Sequence, residues 1–227
     1  MPTIFITGTD TGVGKTHVAR LLLEQARAEG IRCAGFKPVA AGATDTAEGP
    51  RNEDALALQA AASVELPYEL VNPYLLPEPV APHIAAAEAG VRMGPARILQ
   101  AHAEIAARAD LVVVEGAGGW QVPLTEDLLY SELVTQAGWP VLLVVGMRLG
   151  CLNHALLSAQ AIRAVTRLTG WVANCLPPRQ PRLEANLMTL GQRLPEPLLG
   201  VIPPAEGGGD WTRWPRLSAR GLLGTLD

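Results

Sequence analysis

Lysine is almost absent from this chain. Of its 18 basic residues, only Lys15 and Lys37 are lysines, and the rest are arginines. A compact ammonium on a flexible stem interacts with a transferring phosphoryl group differently from a planar guanidinium, so the two lysines are candidates for phosphate chemistry. Chance is the alternative in a lysine-poor sequence, and for Lys37 alone that alternative stays open.

Other scarcities exclude whole classes of function. Aromatic residues make up 4% of the chain and the net charge is −4, which argues against a surface for nucleic acid or acidic membranes. No apolar run approaches membrane-spanning length, and we expect no leader peptide because Ile4 already begins an apolar strand. Cys33, Cys151 and Cys175 are odd in number and widely spaced, which predicts neither a disulfide framework nor a metal cluster and favours the cytoplasm.

The most informative stretch is residues 8–16, which read Gly-Thr-Asp-Thr-Gly-Val-Gly-Lys-Thr. An apolar strand precedes it and a helical pattern follows it, as a phosphate-binding loop requires. Backbone N–H groups of the turn would face the anion, Lys15 would reach the outer phosphates, and the Thr16 hydroxyl would bind Mg²⁺. The loop is one residue longer than the strict pattern, since Thr9 stands where the first glycine is expected.

Apolar runs elsewhere predict an α/β fold. We expect strands at residues 4–6, 32–36, 111–116, 141–145, 171–174 and 198–202, with helices between them. Runs without polar alternation are typical of parallel strands covered on both faces. With 227 residues and 48% hydrophobic content, the chain is expected to form a single domain over residues 1–227. The predicted fold class is a P-loop NTPase-like α/β fold with a mostly parallel sheet flanked by helices.

Less regular structure is predicted between some of these strands. Residues 40–51 are rich in Gly, Thr and Asp and are interpreted as a loop. Residues 66–83 carry five prolines but also many apolar residues, so we expect a packed excursion without regular structure. Helices are expected at 95–108 and from about 150 through 168, and a weak helix near the end of the chain.

Four further side chains are considered for the site. Lys37 precedes a proline and should lie at the exit of a strand, where ligand-binding groups of open α/β sheets collect. Glu115 ends an apolar strand, as metal-binding acids do in such folds, although an ordinary strand terminus is the alternative. Asp54 follows a candidate N-cap, Asn52, and local sequence alone favours a partner for the helix dipole. Cys151 lies near a predicted helix start, where a thiol is more reactive, but no base accompanies it.

Taken together, these motifs closely resemble those of the dethiobiotin synthetase family. The matching segments run in family order over nearly the whole chain: residues 7–16, 35–40, 51–56, 71–74, 79–83, 114–120, 150–155 and 170–174. The lengthened phosphate loop is this family's own form.

The resemblance implies ATP-dependent closure of the ureido ring of dethiobiotin from 7,8-diaminononanoate and CO₂, through a carbamate and a carbamic-phosphoric anhydride, with release of ADP and phosphate. It implies catalytic roles for Lys37, Lys15 and Thr11, and Mg²⁺ ligands at Thr16, Asp54 and Glu115. The implied ATP-binding residues are Gly12, Val13, Gly14, Lys15, Thr16, His17, Asp54, Glu115, Gly116, Ala117, Gly118, Asn174, Pro203, Pro204 and Ala205. The implied substrate-binding residues are Lys37, Ala41, Gly118, Gly150, Cys151 and Asn153, the last three across a homodimer interface.

The chain departs from the family pattern at three positions. Ala41 stands where a serine is frequent, Gly12 where a glutamate is common, and Arg148 where a lysine is common. Two other functions are weighed against the ring-closing ligase. A cobyrinate-type synthetase carries a further glutamine-hydrolysing domain, for which we expect no room here. An ATPase switch of the ParA and MinD type places a second lysine five residues before the loop lysine, where this chain has Asp10.

Overall fold

A computed structural model describes residues 2–178, 180–204 and 211–226. The strands are β1 (Thr3–Gly8), β2 (Cys33–Phe36), β3 (Val39–Ala41), β4 (Thr44–Thr46), β5 (Gly49–Arg51), β6 (Tyr74–Leu76), β7 (Leu111–Glu115), β8 (Val141–Gly146), β9 (Leu168–Asn174) and β10 (Leu198–Ile202). The helices are α1 (Lys15–Ala28), α2 (Glu53–Ala61), α3 (Tyr68–Val71), α4 (Pro82–Glu88), α5 (Pro95–Ala106), α6 (Tyr130–Ala137), α7 (Cys151–Arg163), α8 (Leu183–Arg193) and α9 (Ala219–Leu223).

The centre of the fold is a parallel sheet. Its strand order is β10-β9-β8-β1-β7-β2, and every pair is parallel. β1 lies in the interior, so the loop that follows it emerges between the ends of β7 and β8. The predicted P-loop NTPase-like α/β class is confirmed by this sheet and by the helices that flank it.

Alternate residues of β1 pack into different layers. Ile4 and Ile6 contact the layer formed by α1, α2 and α9, whereas Phe5 contacts the layer that includes α5, α6, α7 and α8. Because side chains of a strand alternate between faces, a strand that is covered by helices on both sides must be apolar throughout. This explains why the central strands appear in the sequence as unbroken apolar runs.

Several local expectations were wrong. Residues 40–51 are not a simple loop, because they contain the end of β3 and the exposed antiparallel pair β4–β5. The proline-rich excursion 66–83 is packed, as expected, but it contains regular structure: α3, β6 and the start of α4. β6 pairs with β3 in parallel, with Val39 opposite Tyr74. Helix α7 ends at Arg163 rather than continuing through Leu168, which begins β9.

No helix in the described part of the chain is long and apolar enough to cross a membrane. The short closing helix was expected and is present as α9.

Candidate functional site

A cleft of about 740 Å³ opens at the carboxyl ends of β1, β2 and β7. Ligands of open α/β sheets bind at this edge, where the strand order reverses. The residues that line the cleft are Thr11, Gly12, Gly14, Lys15, Thr16, His17, Lys37, Ala40, Ala41, Asn52, Asp54, Pro79, Val80, Ala81, Pro82, Glu115, Ala117, Gly118 and Val122. Both lysines of the chain therefore face one space.

The loop wall of the cleft consists of residues 8–16, held by backbone contacts. The Thr9 N–H donates to Val144 O at 3.0 Å, which ties the loop to the end of β8. Gly14 has φ +93°, and a Cβ there would lie 2.1 Å from Nδ2 of Asn174. Asn174 in turn donates from Nδ2 to Val13 O at 2.9 Å. The loop path therefore requires glycine at position 14, in a left-handed conformation and against a neighbouring side chain.

Lys15 begins α1 and is held by the loop itself. Its Nζ donates to the backbone oxygen of Asp10 at 3.2 Å, and the residue is 7% exposed. Burial, and then the charge of Lys37, lower the pKa of Lys15 to about 8. An ammonium in a desolvated position without a paired carboxylate is stabilised by an anionic ligand.

Lys37, Asp54 and Glu115 form the ion-pair wall on the opposite side. Nζ of Lys37 lies 2.5 Å from Oε1 of Glu115 and 3.1 Å from Oδ2 of Asp54. Lys37 and Glu115 are 4% and 1% exposed. Burial acts to lower the pKa of Lys37, but the two carboxylates outweigh it and the pKa is raised. Lys37 is therefore held charged.

Asp54 reaches this wall from the first turn of α2. The Asn52 side chain caps that helix by accepting from the Ala55 N–H at 3.2 Å, which confirms the predicted N-cap. Burial would raise the pKa of the Asp54 carboxyl, but Lys37 and hydrogen bonds to the charged form lower it. Asp54 is thus more than a dipole partner.

Oxygen donors at the junction of the two walls fit Mg²⁺. The Thr16 hydroxyl donates to Oε1 of Glu115 at 2.8 Å. Oε2 of Glu115 is buried and has no hydrogen-bond partner among the residues that the structure describes. Among the described residues, no cluster of three or more His, Cys, Asp or Glu side chains forms a complete metal cage. A hydroxyl and two carboxylates are what Mg²⁺ uses when phosphates and waters supply its other ligands.

The structure brings together most of the predicted site residues and separates a few. Those that line the cleft are Thr11, Gly12, Gly14, Lys15, Thr16, His17, Lys37, Ala41, Asp54, Glu115, Ala117 and Gly118. Val13 and Gly116 are buried behind the cleft, and Gly116 packs against the Phe5 ring. Pro203 and Pro204 follow β10, whose last residue, Ile202, pairs with Asn174. Ala205 lies outside the described residues.

Gly150, Cys151 and Asn153 lie at the beginning of α7 and are not among the described residues that line this cleft. An ion pair between Arg148 and Asp10 joins this region to the phosphate loop. The suggestion that Cys151 is the more reactive thiol is wrong in this structure, because the residue is 2% exposed and burial raises its pKa.

Sequence reasoning missed part of the cleft lining. Ala40, Pro79, Val80, Ala81, Pro82 and Val122 were given no role, and Asn52 was assigned only as a cap. Pro79–Pro82 belong to a segment that matches the family, which was the available signal. Val122 offered none, because nothing local distinguishes it from an ordinary apolar residue.

Comparison with known proteins places the chain among close relatives. A family model described as an AAA domain matches residues 2–209. The chain is 53% identical over 211 residues to an ATP-dependent dethiobiotin synthetase of Pseudomonas paraeruginosa, covering 92% of each chain. It is 51% identical over 205 residues to the enzyme of the same name from Xylella fastidiosa, covering 90% of this chain and 91% of the relative.

Solved structures resemble the chain in fold. A MinC:MinD cell division complex from Aquifex aeolicus gives a TM-score of 0.55 at 16% identity, covering 89% of this chain and 81% of that chain. The septum site-determining protein MinD with Mg-ADP from Pyrococcus horikoshii gives 0.52 at 16% identity, covering 99% and 86%. At this identity the likeness shows the fold alone.

Proposed function

Because the chain belongs to the family of ATP-dependent dethiobiotin synthetases, its reaction is ATP-dependent synthesis of dethiobiotin, and we propose that the cleft between Lys15 and Lys37 performs it. One amine of 7,8-diaminononanoate takes up CO₂ and loses a proton to give a carbamate. A carbamate oxygen attacks the γ-phosphorus of ATP, and ADP leaves. The second amine attacks the carbonyl carbon of the mixed anhydride and loses a proton, phosphate leaves, and the ring closes.

Phosphoryl transfer of this kind requires charge at fixed positions rather than covalent help from the protein. Lys15 has a lowered pKa, and its Nζ hydrogen bond within the described part of the chain goes to a backbone oxygen rather than to a carboxylate, so it is suited to the outer phosphates. Lys37 is held on the far wall and is suited to orient the carbamate toward the γ-phosphoryl. We assign Thr11 to the same charged end, because it lines the cleft beside Gly12. The observation that carries the proposal is that the only two lysines share one cleft with Asp54 and Glu115.

In this proposal Thr16, Asp54 and Glu115 hold Mg²⁺. The ion would offset the negative charge of the phosphate oxygens. The partnerless Oε2 of Glu115 supports the assignment, since a buried carboxylate oxygen without a donor is costly unless a cation satisfies it.

The substrate chain is proposed to lie against the apolar side of the cleft. Pro79, Val80 and Val122 line that side, together with Ala41. Ala41 has no hydroxyl, so contact with the substrate there is apolar. Gly118 has φ +63° beside Thr11 and would allow close approach to its backbone.

We propose that the protein is a homodimer. The beginning of α7 in one protomer would bind the carboxylate of the substrate that lies in the cleft of the other protomer. The N–H groups of Gly150 and Asn153 would face the anion at a helix N-terminus, whereas the Cys151 N–H donates to Arg148 O at 3.0 Å and Cys151 contributes its place in the first turn. Two apolar side chains near this site are unusually exposed: Leu149 at 94% and Leu157 at 58%. If Leu149 and Leu157 form the interface, a Leu149→Asp variant should be monomeric in analytical ultracentrifugation. A variant that stays dimeric would remove this part of the proposal.

Asn174, Pro203 and Pro204 are proposed to receive the adenine, together with Ala205, which lies outside the described residues. The carboxyl end of β9 and the exit of β10 lie side by side there. The cytoplasmic location expected from the cysteine pattern stays part of this proposal.

The decisive experiment is mass detection of dethiobiotin formed from 7,8-diaminononanoate, ATP and bicarbonate with Mg²⁺. ADP and phosphate release should require the diamine and bicarbonate together. ATP turnover that is independent of the diamine, or that responds to a protein or DNA partner instead, would contradict the assignment.

A further inference from the structure

One segment that matches the family has no role in the site so far: residues 71–74, between α3 and β6. Asn72 in this segment is 3% exposed. Its Nδ2 donates to the backbone oxygen of Lys37 at 2.7 Å and to that of Tyr74 at 3.2 Å. The Lys37 N–H donates to Val71 O at 2.8 Å. The backbone of Lys37 is therefore held on both its N–H and its C=O by this segment.

The same asparagine is connected to the helix that carries Asp54. Oδ1 of Asn72 accepts from the Tyr68 hydroxyl at 3.0 Å. The oxygen of that hydroxyl accepts from the Asn52 N–H at 2.8 Å. Asn52 is the N-cap of α2 and also donates from Nδ2 to Gly42 O at 2.9 Å. A single tyrosine hydroxyl thus bridges the strand exit at Lys37 and the beginning of α2.

These contacts close a ring. It runs from the Lys37 backbone through Asn72, Tyr68 and Asn52 into α2, and returns from Asp54 to Nζ of Lys37 at 3.1 Å. The backbone and the Nζ of Lys37 are therefore both held by parts of one connected network. The hydrogen bonds that Asn72 makes with Tyr68, Lys37 O and Tyr74 O are buried, whereas those through Asn52 and Asp54 are partly exposed. In the buried part a shifted arrangement would leave polar groups unpaired, which favours one arrangement.

We propose that Tyr68 and Asn72 are positioning residues that set the separation between the Lys37 ammonium and Asp54, and hence the place of Lys37 relative to the transferred phosphoryl group. The proposal rests on the function proposed above for Lys37. Neither side chain is among the described residues that line the cleft, so both act through others. Misplacement of a reacting group by about 1 Å costs on the order of a hundredfold in rate, so a modest loosening is measurable.

Tyr68→Phe is the first test, because it removes one oxygen and keeps the ring against Arg51. Tyr74→Phe is the matched control: its hydroxyl accepts from the Gly94 N–H at 3.1 Å, away from Lys37. We expect kcat for dethiobiotin formation to fall about tenfold in Tyr68→Phe, with the KM for ATP and for the diamine within about threefold of wild type. Tyr74→Phe should keep kcat within about twofold.

Asn72→Asp is the second variant, because it keeps the shape but removes both amide donors to Lys37 O and Tyr74 O. Its kcat should fall further than that of Tyr68→Phe, again with smaller changes in KM. A kcat within twofold of wild type in both variants would overturn the proposal. An equal loss in Tyr74→Phe would overturn it too, since that result would indicate general loosening of the segment.

A double-mutant cycle in stability separates this inference from the proposed function. The free energy of unfolding in urea is measured for wild type, Tyr68→Phe, Asp54→Asn and the double variant. If Tyr68 and Asp54 belong to one ring, the loss caused by Tyr68→Phe should be clearly smaller in the Asp54→Asn background. Additive effects would contradict the ring. A wild-type protein that forms no dethiobiotin would refute the proposed function but leave this cycle readable.

Discussion

The two walls of the cleft are built in different ways. The loop wall, residues 8–16, is one continuous stretch that presents backbone groups and places Lys15 beside the backbone oxygen of Asp10. The ion-pair wall brings Lys37, Asp54 and Glu115 together from three separate segments through side-chain contacts. The two lysines are similarly buried, yet the pKa of Lys15 is lowered to about 8 and that of Lys37 is raised.

The two pKa values differ because the effect of burial is offset by paired carboxylates at Lys37 but not at Lys15. Desolvation disfavours both ammonium groups, but only Lys37 has carboxylates at hydrogen-bond distance. The loop wall is therefore an electrostatic site that an anion completes. In the ion-pair wall the Lys37 ammonium is already paired with two carboxylates. The two lysines should therefore respond differently to substitution and to chemical probes.

The largest expected effects follow from removing the ammonium group of each wall in turn. Lys37→Ala should reduce dethiobiotin formation about a thousandfold while ADP affinity stays within a few-fold, since Lys37 contributes charge to the reaction rather than to nucleotide binding. Lys15→Ala should weaken ADP binding itself. Product mass spectrometry and calorimetry give the two readouts. Near-normal turnover by Lys37→Ala would show that its assigned role is wrong.

Lys37→Ala also removes the ion-pair partner of the buried Glu115 carboxylate. We expect a loss of about 3 kcal/mol in the free energy of unfolding, so both assays belong well below the melting temperature of the variant.

Amine acetylation distinguishes the two lysines by the reactivity of their amino groups. At pH 8 about half of Lys15 is deprotonated if its pKa is about 8. An ordinary lysine of pKa 10.4 is less reactive by roughly a hundredfold, because only its neutral form attacks the reagent. The labelling of Lys15 should rise with pH and level off above 8, and ADP should protect it. Peptide mass spectrometry resolves the two lysines. Equal labelling of Lys37 would contradict the difference between the walls.

Gly14→Ala tests the backbone basis of the loop wall. The added methyl would meet Nδ2 of Asn174 at 2.1 Å, at a residue whose φ is +93°. We expect ADP affinity to fall by at least tenfold and the free energy of unfolding by about 2 kcal/mol. Gly12→Ala is the control, because its φ is +72° but, apart from its chain neighbours, none of the described residues has an atom within 4 Å of the new Cβ. That variant should cost about 1 kcal/mol. Equal effects would mean that the contact with Asn174 is unimportant.

His102 tests how burial alone changes a pKa, because no charged partner contributes to its shift. It shares a 3.0 Å hydrogen bond with Thr3 and packs 4.7 Å from the Trp139 ring, and burial alone lowers its pKa to about 4. A folded-state pKa below the unfolded value of 6.5 means that the unfolded chain binds more protons between pH 6.5 and 4. Stability should therefore fall as pH falls through that window.

Since the ring is partly exposed, we expect a loss of about 2 kcal/mol over this range rather than the full linkage energy. Urea unfolding at several pH values measures it, with His102→Gln as the comparison. An unchanged pH dependence in His102→Gln would show that His102 is not its source.

The loop wall could be predicted from the sequence because its determinants are contiguous. Gly14, Lys15 and Thr16 lie on a strand–turn–helix unit, and the structure has that unit as β1, the loop and α1. The buried strands β7 and β8 were also predicted with little error, since strands that are covered on both faces must be apolar throughout.

The ion-pair wall could not be predicted in the same way. From local sequence Asp54 was a helix-dipole partner, and only the family resemblance suggested otherwise. Its contact with Lys37 depends on where α2 lies relative to the end of β2. The β3–β6 pair was missed for the same reason, because Val39 and Tyr74 are distant in the chain and each strand has three residues. Helix α7 was predicted to be too long, since the apolar residues from Ile162 to Leu168 suit a helix and a strand equally.

The amide of Asn174 serves two surfaces at once. One hydrogen on Nδ2 is taken by Val13 O. The amide keeps a second hydrogen and Oδ1, so it can both donate and accept. Because the residue proposed to contact the base also holds the phosphate loop, a substitution at position 174 would change nucleobase recognition and the shape of the loop together.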